Sequence, residues 1–218
     1  MQIREVNSIN STDFSEAMKL YSDNFSPDIA HPISYFEENF NQGHSRLFIG
    51  KKEDKDEIIV FAITYQLCDI RFLLLDYYAV RKDYRDKGFG SQFLATLFNH
   101  LKLNEKDRFL LIEIEDFANI EKSDGFNVEQ ARKRTKFYKQ LGVAQIEGVK
   151  YFFPHFEINN YSCMVLMIYP KPPSEDVFNQ EILKKVITEL FIDKYNRRWD
   201  DLYLKRTLES IPSKIKYI

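Results

Sequence analysis

The pattern of apolar and polar residues divides the first third of the chain into one strand, two helices and three further strands. Residues 1–6 alternate in polarity, which is typical of a strand with one buried face. Apolar residues then recur with helical spacing over residues 13–24, where Asp13 and Glu16 have the spacing of a capping box. A second, shorter helix is predicted in the segment ISYFEENFNQ, before Gly43. Three apolar runs predict strands over residues 46–51, 58–67 and 70–80.

The rest of the chain alternates helices with strands and ends in a long helical tail. Helices are predicted over residues 88–103 and 127–141, and strands over residues 108–115, 148–153 and 162–169. The prolines of residues 170–173 end the sheet, and residues 176–208 are predicted to be helical throughout. This order predicts the α/β (α+β) fold class, with a mixed sheet covered by helices.

The segment of residues 73–94, LLLDYYAVRKDYRDKGFGSQFL, carries the clearest chemical signal. An apolar strand that ends at Val80 is followed by the turn RDKGFG and then by an amphipathic helix. Free backbone N–H groups at a helix N-terminus point outward, and the helix dipole adds partial positive charge there. Such a turn can bind a pyrophosphate, because Gly88 and Gly90 let the backbone approach it closely. Arg85 and Lys87 would add positive charge at the rim.

The string AV-x4-R-x-x-GFG-x3-L resembles motif A of the GCN5-related N-acetyltransferases, the GNAT superfamily. The resemblance implies a mixed, largely antiparallel central sheet flanked by helices over residues 1–170. Residues 171–218 lie outside the resemblance and are predicted to be a helical C-terminal extension. It also implies an enzyme that uses acetyl-CoA as co-substrate. Such an N-acetyltransferase would transfer the acetyl group to a primary amine by direct attack in a ternary complex.

The resemblance places the cofactor contacts along the end of the strand and the turn after it. Backbone groups of Tyr78, Ala79 and Val80 would bond the pantetheine arm, and the Val80 N–H would polarise the thioester carbonyl. The pyrophosphate would lie against Arg85, Asp86, Lys87, Gly88, Phe89, Gly90 and Ser91.

A later segment, KFYKQLGV, resembles a second motif of the family and implies a catalytic role for Tyr138. The tyrosine at this position would protonate the departing thiolate of the cofactor. The chain departs from the family nearby, because Ala131 stands where an asparagine is common. Residues 132–134, RKR, either supply replacement contacts to phosphate or form a solvated helix face.

Candidate groups for the acceptor amine are acidic or aromatic residues on predicted strands. A lysine-like amine has a pKa of about 10.4, so it must lose a proton before attack. Glu113 is either that base, an anchor for the ammonium group, or neither. Glu115 shares its strand face and is a candidate for substrate binding, as are Asp76 and Tyr151.

Composition and charge exclude several other classes of function. The chain has 19 Phe and 13 Tyr, and its 31 basic and 33 acidic side chains give a net charge of −2. A globular protein that binds neither nucleic acid nor membrane is therefore expected. The histidines and cysteines lack ligand spacing, so no metal is predicted. Cys68 and Cys163 are interpreted as buried, reduced thiols of a cytoplasmic protein.

The tail differs in charge from the beginning of the chain. Residues 194–216 are rich in Lys and Arg, whereas the first 60 residues carry more acids than bases. The tail is therefore expected to pack either on its own domain or on a second subunit, as in a homodimer. The alternative function is a catalytically inactive acyl-CoA-binding sensor or assembly module, which the missing asparagine and the extra tail keep open.

Overall fold

A computed structural model describes residues 1–25, 30–52, 56–103, 108–118, 127–154 and 161–218 of the chain. Its internal contacts divide the chain into two compact units. The first contains Met1–Gln66 and Leu73–Asn104, and the second contains Leu67–Phe72 and Glu105–Ile218.

The first unit is built on an antiparallel ladder of consecutive strands. The strands are β1 (Gln2–Val6), β2 (Ser45–Lys51), β3 (Ile58–Gln66) and β4 (Phe72–Val80). The helices are α1 (Thr12–Ser22), α2 (Ile33–Asn41) and α3 (Phe89–His100). Strand β3 is buried from Ile58 to Tyr65, which agrees with its continuous apolar sequence.

Helix α1 begins at a different cap from the one that the sequence suggested. The Ser11 hydroxyl accepts a hydrogen bond from the Phe14 N–H at 3.1 Å, so Ser11 is the N-cap. The Asp13 carboxylate instead pairs with the Lys51 ammonium at 2.8 Å. Glu16 accepts from the Ile58 N–H at 3.0 Å. The predicted capping box is therefore wrong, because both of its acids bond to neighbouring strands.

Strand β4 contains a bulge in the middle of its pairing with β3. Ile63 is opposite Tyr77, whereas the next residue, Thr64, is opposite Leu75. Asp76 is thus the extra residue that the bulge inserts on β4. A bulge bends the strand and redirects the side chain that it carries, here a half-buried carboxylate.

The second unit is built around strand β8 (Tyr161–Tyr169). It pairs antiparallel with β5 (Phe109–Glu115), and on its other edge with β6 (Ala144–Gln145) and β7 (Tyr151–Pro154). Helix α4 (Val128–Gln140) begins at Asn127, whose side chain caps the Gln130 N–H. Two helices of the tail complete the unit, α5 (Gln180–Glu189) and α6 (Leu202–Ser210).

The prediction of one continuous helix over residues 176–208 is wrong. After α5, a π turn covers Leu190–Lys194, and α6 starts only at Leu202. Asn196 has a left-handed backbone with φ of 51°, which a right-handed helix cannot include. The Asp201 carboxylate then accepts from the N–H groups of Tyr203 and Leu204 and caps a new helix.

The end of the tail is bonded to the strands of the second unit. The backbones of Gln145 and Ile218 exchange two hydrogen bonds, of 2.9 and 3.0 Å. The hydroxyl of Ser210 accepts from the Lys150 N–H, and that of Thr207 accepts from the Phe152 N–H. Residues 171–218 therefore contribute to the second unit. The domain boundary at residue 170 and a contact with a second subunit stay predictions.

The α/β fold class predicted from the sequence is confirmed. Every strand pairing within the two units is antiparallel, and six α-helices accompany the strands of the described residues. In that part of the chain, no helix is both long and apolar enough to cross a bilayer.

The interpretation of the cysteines as buried needs correction, because Cys68 is exposed and Cys163 is half-buried; both are free thiols.

Candidate active site

The loop between β4 and α3 turns sharply at two residues with left-handed backbones. A 3-10 turn at Lys82–Tyr84 follows the strand, and then Asp86 has φ of 58° and Gly88 has φ of 81°. Gly88 is the N-cap of α3, and a Cβ added there would meet nothing within 4 Å. The loop therefore reaches the helix through a glycine that leaves space in front of the helix N-terminus.

The N-terminus of α3 presents backbone donors that the helix itself cannot use. The first intrahelical bond runs from the Gln92 N–H to the Gly88 carbonyl at 3.0 Å. The N–H groups of Phe89, Gly90 and Ser91 precede it and have no acceptor within the helix. Among the described residues, no side chain caps this end. These donors and the helix dipole fit a bound phosphate group, as acetyl-CoA would require.

Gly90, in the first turn of α3, lies close to side chains of strand β4. A Cβ at Gly90 would lie 2.4 Å from the Tyr78 hydroxyl and 3.1 Å from Cγ2 of Val80. The Tyr78 ring stacks on Phe93 of α3 with a centroid distance of 6.3 Å. Tyr78 and the helix N-terminus therefore pack directly together, which only a glycine at position 90 permits.

The end of β4 directs alternate backbone groups away from β3. The Arg81 N–H donates to the Ile59 carbonyl at 2.8 Å. This bond fixes which residues of β4 are hydrogen-bonded to β3, because such residues alternate along an antiparallel ladder. Ala79 then bonds toward β3, opposite Phe61, whereas the N–H and C=O groups of Tyr78 and Val80 point away from it. The backbone of Val80 therefore has the direction that an oxyanion donor to a ligand beside this strand would need.

Two basic residues of the loop, Arg85 and Lys87, are held by protein oxygens. The Arg85 Nε donates to the Val80 carbonyl at 3.0 Å, and its Nη2 donates to Asn24 Oδ1 at 2.5 Å. The Lys87 ammonium donates to the Asp83 carbonyl at 2.7 Å. Arg85 also lines a cleft of about 630 Å³ between α1 and the 3-10 turn, with Lys19, Arg81 and Lys82 among its other walls. Both side chains thus bond to oxygens of the protein, and their contact with a pyrophosphate stays a prediction.

Asp76, at the bulge of β4, lies beside a cluster of aromatic rings in the first unit. The Tyr77 ring packs edge-on against Tyr21 and Phe25, with centroid distances of 4.9 and 5.0 Å. Burial, followed by the negative charge of Asp76, raises the pKa of the Tyr77 hydroxyl. The Asp76 carboxylate is therefore close enough to this aromatic cluster for its charge to act on the Tyr77 hydroxyl.

In the second unit, Glu113 on β5 accepts hydrogen bonds at both carboxylate oxygens. The Tyr151 hydroxyl donates to Oε1, and the Tyr195 hydroxyl donates to Oε2. Tyr151 is 1% exposed, and its burial and the Glu113 charge raise the pKa of its hydroxyl well above 10.0. Tyr151 therefore stays protonated and acts as a donor, and its side chain forms part of the core.

Glu115, two residues further along β5, has a different partner. The Arg134 guanidinium makes two bonds to its carboxylate, of 3.0 and 2.5 Å. Lys133 pairs with Glu129 at 3.1 Å, and the Arg132 guanidinium lies over the Phe117 ring at 5.4 Å. Each side chain of the RKR segment thus has a contact within the second unit. A role for Glu115 in substrate binding stays a prediction, and it would require the pair with Arg134 to open.

Tyr138 lies on the buried face of α4. Only 7% of the residue is exposed, and burial raises the pKa of its hydroxyl. The phenol is therefore protonated at neutral pH, as a proton donor must be. Ala131, the residue that replaces the asparagine of the motif, is fully buried two turns earlier on the same helix.

Tyr195, which donates to Glu113 from the tail, was not predicted from the sequence. The two residues are 82 positions apart, and Tyr195 follows the π turn rather than a strand or helix with a recognisable pattern. A further prediction concerned metals. Within the described residues, no group of three His, Cys, Asp or Glu side chains is arranged to hold a metal ion.

Comparison with known proteins agrees with the fold. Residues 14–121 match the model of the acetyltransferase (GNAT) family. A GNAT-family protein from Bacteroides thetaiotaomicron superposes with a TM-score of 0.71 and 18% identity, over 91% of this chain and 100% of that one. A search of curated proteins finds no match.

Two enzymes of known acceptor have the same fold at lower similarity. The ribosomal-protein-S18-alanine N-acetyltransferase of Escherichia coli has a TM-score of 0.52 and 16% identity, over 77% of this chain and 92% of its own. A chimeric spermidine N-acetyltransferase from Vibrio cholerae has a TM-score of 0.55 and 12% identity, over 77% of this chain and 95% of its own.

Proposed function

We propose, on the premise that this chain belongs to the GNAT acetyltransferase family, that it transfers an acetyl group from acetyl-CoA to a primary amine by direct attack in a ternary complex. The observation that carries the proposal is the N-terminus of α3, where Gly88 leaves open space and three N–H groups lack intrahelical acceptors. Such a site suits the pyrophosphate of a coenzyme A thioester.

The loop residues would hold and orient acetyl-CoA, which supplies the thioester that the reaction cleaves. The N–H groups at residues 88–91 would bind the pyrophosphate, with Arg85 and Lys87 at the rim. The outward backbone of Tyr78 and Val80 would align the pantetheine arm, as the direction of these groups supports. The Val80 N–H would then stabilise the negative charge that develops on the carbonyl oxygen.

Proton transfer is assigned to two residues of the second unit. Tyr138 would donate its proton to the departing sulfur, and its buried, protonated phenol supports this role. The sulfur of a thiol with a pKa of about 8.5 leaves more readily when a phenol donates a hydrogen bond to it than when it leaves as a bare thiolate. Glu113 would receive the proton that the acceptor ammonium loses before attack.

The acceptor is proposed to be a cationic amine. Asp76 supports this class, because its carboxylate lies at a bulge beside aromatic rings. Spermidine and a peptide with an N-terminal alanine are the first acceptors to test, because structurally similar enzymes act on these two classes. A reducing, cytoplasmic location is proposed for the enzyme because both cysteines are free thiols.

The first experiment is calorimetric titration of the protein with acetyl-CoA and with desulfo-CoA. We expect both to bind, and Gly88→Glu to abolish binding of both, because a carboxylate would enter the phosphate site. Gly43→Glu is the matched control. Gly43 also has positive φ, 77°, and open space around it, but it lies outside the loop. Equal binding by Gly88→Glu and Gly43→Glu would overturn the assignment of the loop.

Turnover is then measured as release of free thiol with each acceptor. Tyr138→Phe is expected to lower turnover by ~100-fold with little change in acetyl-CoA affinity, since it removes only the proton donor. Unchanged turnover would show that Tyr138 is a packing residue. A protein that binds acetyl-CoA and releases no thiol with any amine would instead be the inactive acyl-CoA-binding module.

A further inference from the structure

The tail of the chain contributes a hydroxyl to the carboxylate that the proposed mechanism uses as base. Tyr195 and Tyr151 each donate to one oxygen of Glu113, so this carboxylate lies between two phenols. The two phenols differ in exposure. Tyr151 is buried on β7, whereas Tyr195 is half-buried at the end of the π turn. Of these two side chains, that of Tyr195 is therefore the one that is partly open to solvent.

The backbone holds Tyr195 in position through the π turn. Its N–H donates to the Leu190 carbonyl at 2.9 Å, and the Arg197 N–H donates to the Phe191 carbonyl at 2.8 Å. Leu190 and Phe191 are fully buried, so the turn is anchored in the core of the second unit. Phe153 packs edge-on against the Tyr195 ring at 5.1 Å. Single π turns of this kind occur frequently at functional sites.

We propose that Tyr195 relays the proton of the acceptor amine to Glu113. The proposal rests on the proposed function, since it assumes that an ammonium group must be deprotonated before it attacks. The ammonium gives a proton to the Tyr195 oxygen while the Tyr195 O–H proton moves to Oε2 of Glu113. The amine is left neutral, Tyr195 is again a neutral phenol, and Glu113 is protonated. Glu113 returns the proton to solvent along the same path after the product leaves.

The charged groups beside this pair include two cations and one carboxylate that is already paired. The Lys194 ammonium lies 5.9 Å from the Tyr195 ring centroid, and the Arg197 guanidinium lies over the Tyr161 ring. Glu115 shares the face of β5 with Glu113 and is paired with Arg134. In this relay Tyr195 contacts the acceptor amine directly and is a catalytic residue, a function that Tyr151 cannot have from its buried side.

The test compares Tyr195→Phe with Tyr151→Phe, since each removes one phenolic bond to the same carboxylate. Thiol release with spermidine or the alanine peptide is measured from pH 6 to 10, together with acetyl-CoA affinity and thermal unfolding. Tyr195→Phe is expected to lower kcat ~100-fold at neutral pH. The deficit should shrink toward the pKa of the amine, about 10 for spermidine and about 8 for the α-amino group of the peptide, where the acceptor arrives neutral. Tyr151→Phe should lower kcat by the same factor at every pH between 6 and 10.

Two further variants separate a relay from a general effect on structure. The double variant that combines Glu113→Gln with Tyr195→Phe should have the same kcat as Glu113→Gln alone or a higher one, because both changes interrupt the same proton path. Tyr203→Phe removes a hydroxyl elsewhere in the tail, on a ring stacked on Tyr161 at 3.7 Å, and should leave kcat unchanged.

The relay is overturned if Tyr195→Phe and Tyr151→Phe have the same pH dependence, or if Tyr195→Phe and Glu113→Gln have additive effects. It is also overturned if Tyr195→Phe retains full activity while the wild type is active, an outcome that leaves the proposed acetyl transfer intact. Absence of thiol release by the wild type with every amine would instead overturn the proposed function and the relay together.

Discussion

Gly90 has no side chain at a position where helix propensity alone would favour alanine. Replacing an unconstrained helical glycine by alanine ordinarily stabilises a protein by about 0.5–1 kcal/mol. At Gly90 the new Cβ would lie 2.4 Å from the Tyr78 hydroxyl, so the ring must move. We expect Gly90→Ala to lower the free energy of unfolding by about 1–3 kcal/mol, measured by urea denaturation, and to weaken acetyl-CoA binding.

The control for this prediction is the same substitution combined with Tyr78→Phe. Without the hydroxyl, the nearest atoms to the new Cβ are Val80 Cγ2 at 3.1 Å and Tyr78 Cζ at 3.7 Å, which are far less severe contacts. The double variant should therefore recover most of the stability that Gly90→Ala loses. If the double variant instead loses as much stability as Gly90→Ala and Tyr78→Phe lose separately in sum, the overlap with the Tyr78 hydroxyl is not the cause.

Individual site residues differ in how far the sequence could reveal them. Gly88 and Gly90 were identifiable because a glycine-containing turn between a strand and a helix has a local physical meaning. The two acids of β5 were also visible, as carboxylates within an apolar strand. Their partners were not, because Tyr195 and Arg134 reach Glu113 and Glu115 from 82 and 19 positions away in the chain. Only the tertiary fold brings such pairs together.

Strands β1 and β2 are joined by an ion pair that makes part of the stability depend on pH. The Arg46 guanidinium makes two bonds of 2.7 Å to the Glu5 carboxylate. The hydrogen bonds from Arg46 lower the pKa of Glu5 below its usual 4.5. A lowered carboxyl pKa stabilises the folded state above about pH 4.5, and this contribution disappears as the pH falls through the lowered value.

We expect Glu5→Gln to reduce the free energy of unfolding at neutral pH by up to about 1 kcal/mol, a small effect because the pair is partly solvated. The difference from the wild type should vanish below the lowered pKa of Glu5, as followed by denaturant unfolding between pH 7 and 3. Glu209→Gln, at an exposed glutamate, is the control and should match the wild type throughout. If Glu5→Gln is still less stable than the wild type at pH 3, the ion pair between Glu5 and Arg46 is not the cause of the lost stability.

Periodicity was sufficient to predict most elements but not their ends or the break in the tail. Helix α4 was expected over residues 127–141 and runs from Val128 to Gln140. In the tail, apolar spacing correctly indicates a buried face as far as Phe191. Spacing carries no information about the left-handed backbone of Asn196, which ends the helical path. The cap at Ser11 was missed for a related reason, since Asp13 and Glu16 fit the same local pattern and bond elsewhere.

At the scale of the whole molecule, the tail is a structural part of the second unit. Its apolar face includes Leu183, Val186, Ile187, Leu190 and Phe191, each at most 1% exposed. Burial of a side chain of this size contributes about 1.5–3 kcal/mol. Five such residues together match the net stability of a typical protein, about 5–15 kcal/mol. The core of the second unit is therefore incomplete without residues 171–218.

We accordingly expect a chain that ends at residue 170 to lack a cooperative unfolding transition for the second unit, measured by circular dichroism during urea denaturation. A chain that ends at residue 211 is the matched control. It loses the backbone bonds between Gln145 and Ile218 but keeps α5, the π turn and α6, so it should unfold cooperatively at a lower urea concentration. If the chain that ends at residue 170 unfolds with the same cooperative transition as the full-length protein, residues 1–170 are instead an independent domain. The tail would then be a separable addition, and Tyr195 could be removed without unfolding the strand that carries Glu113.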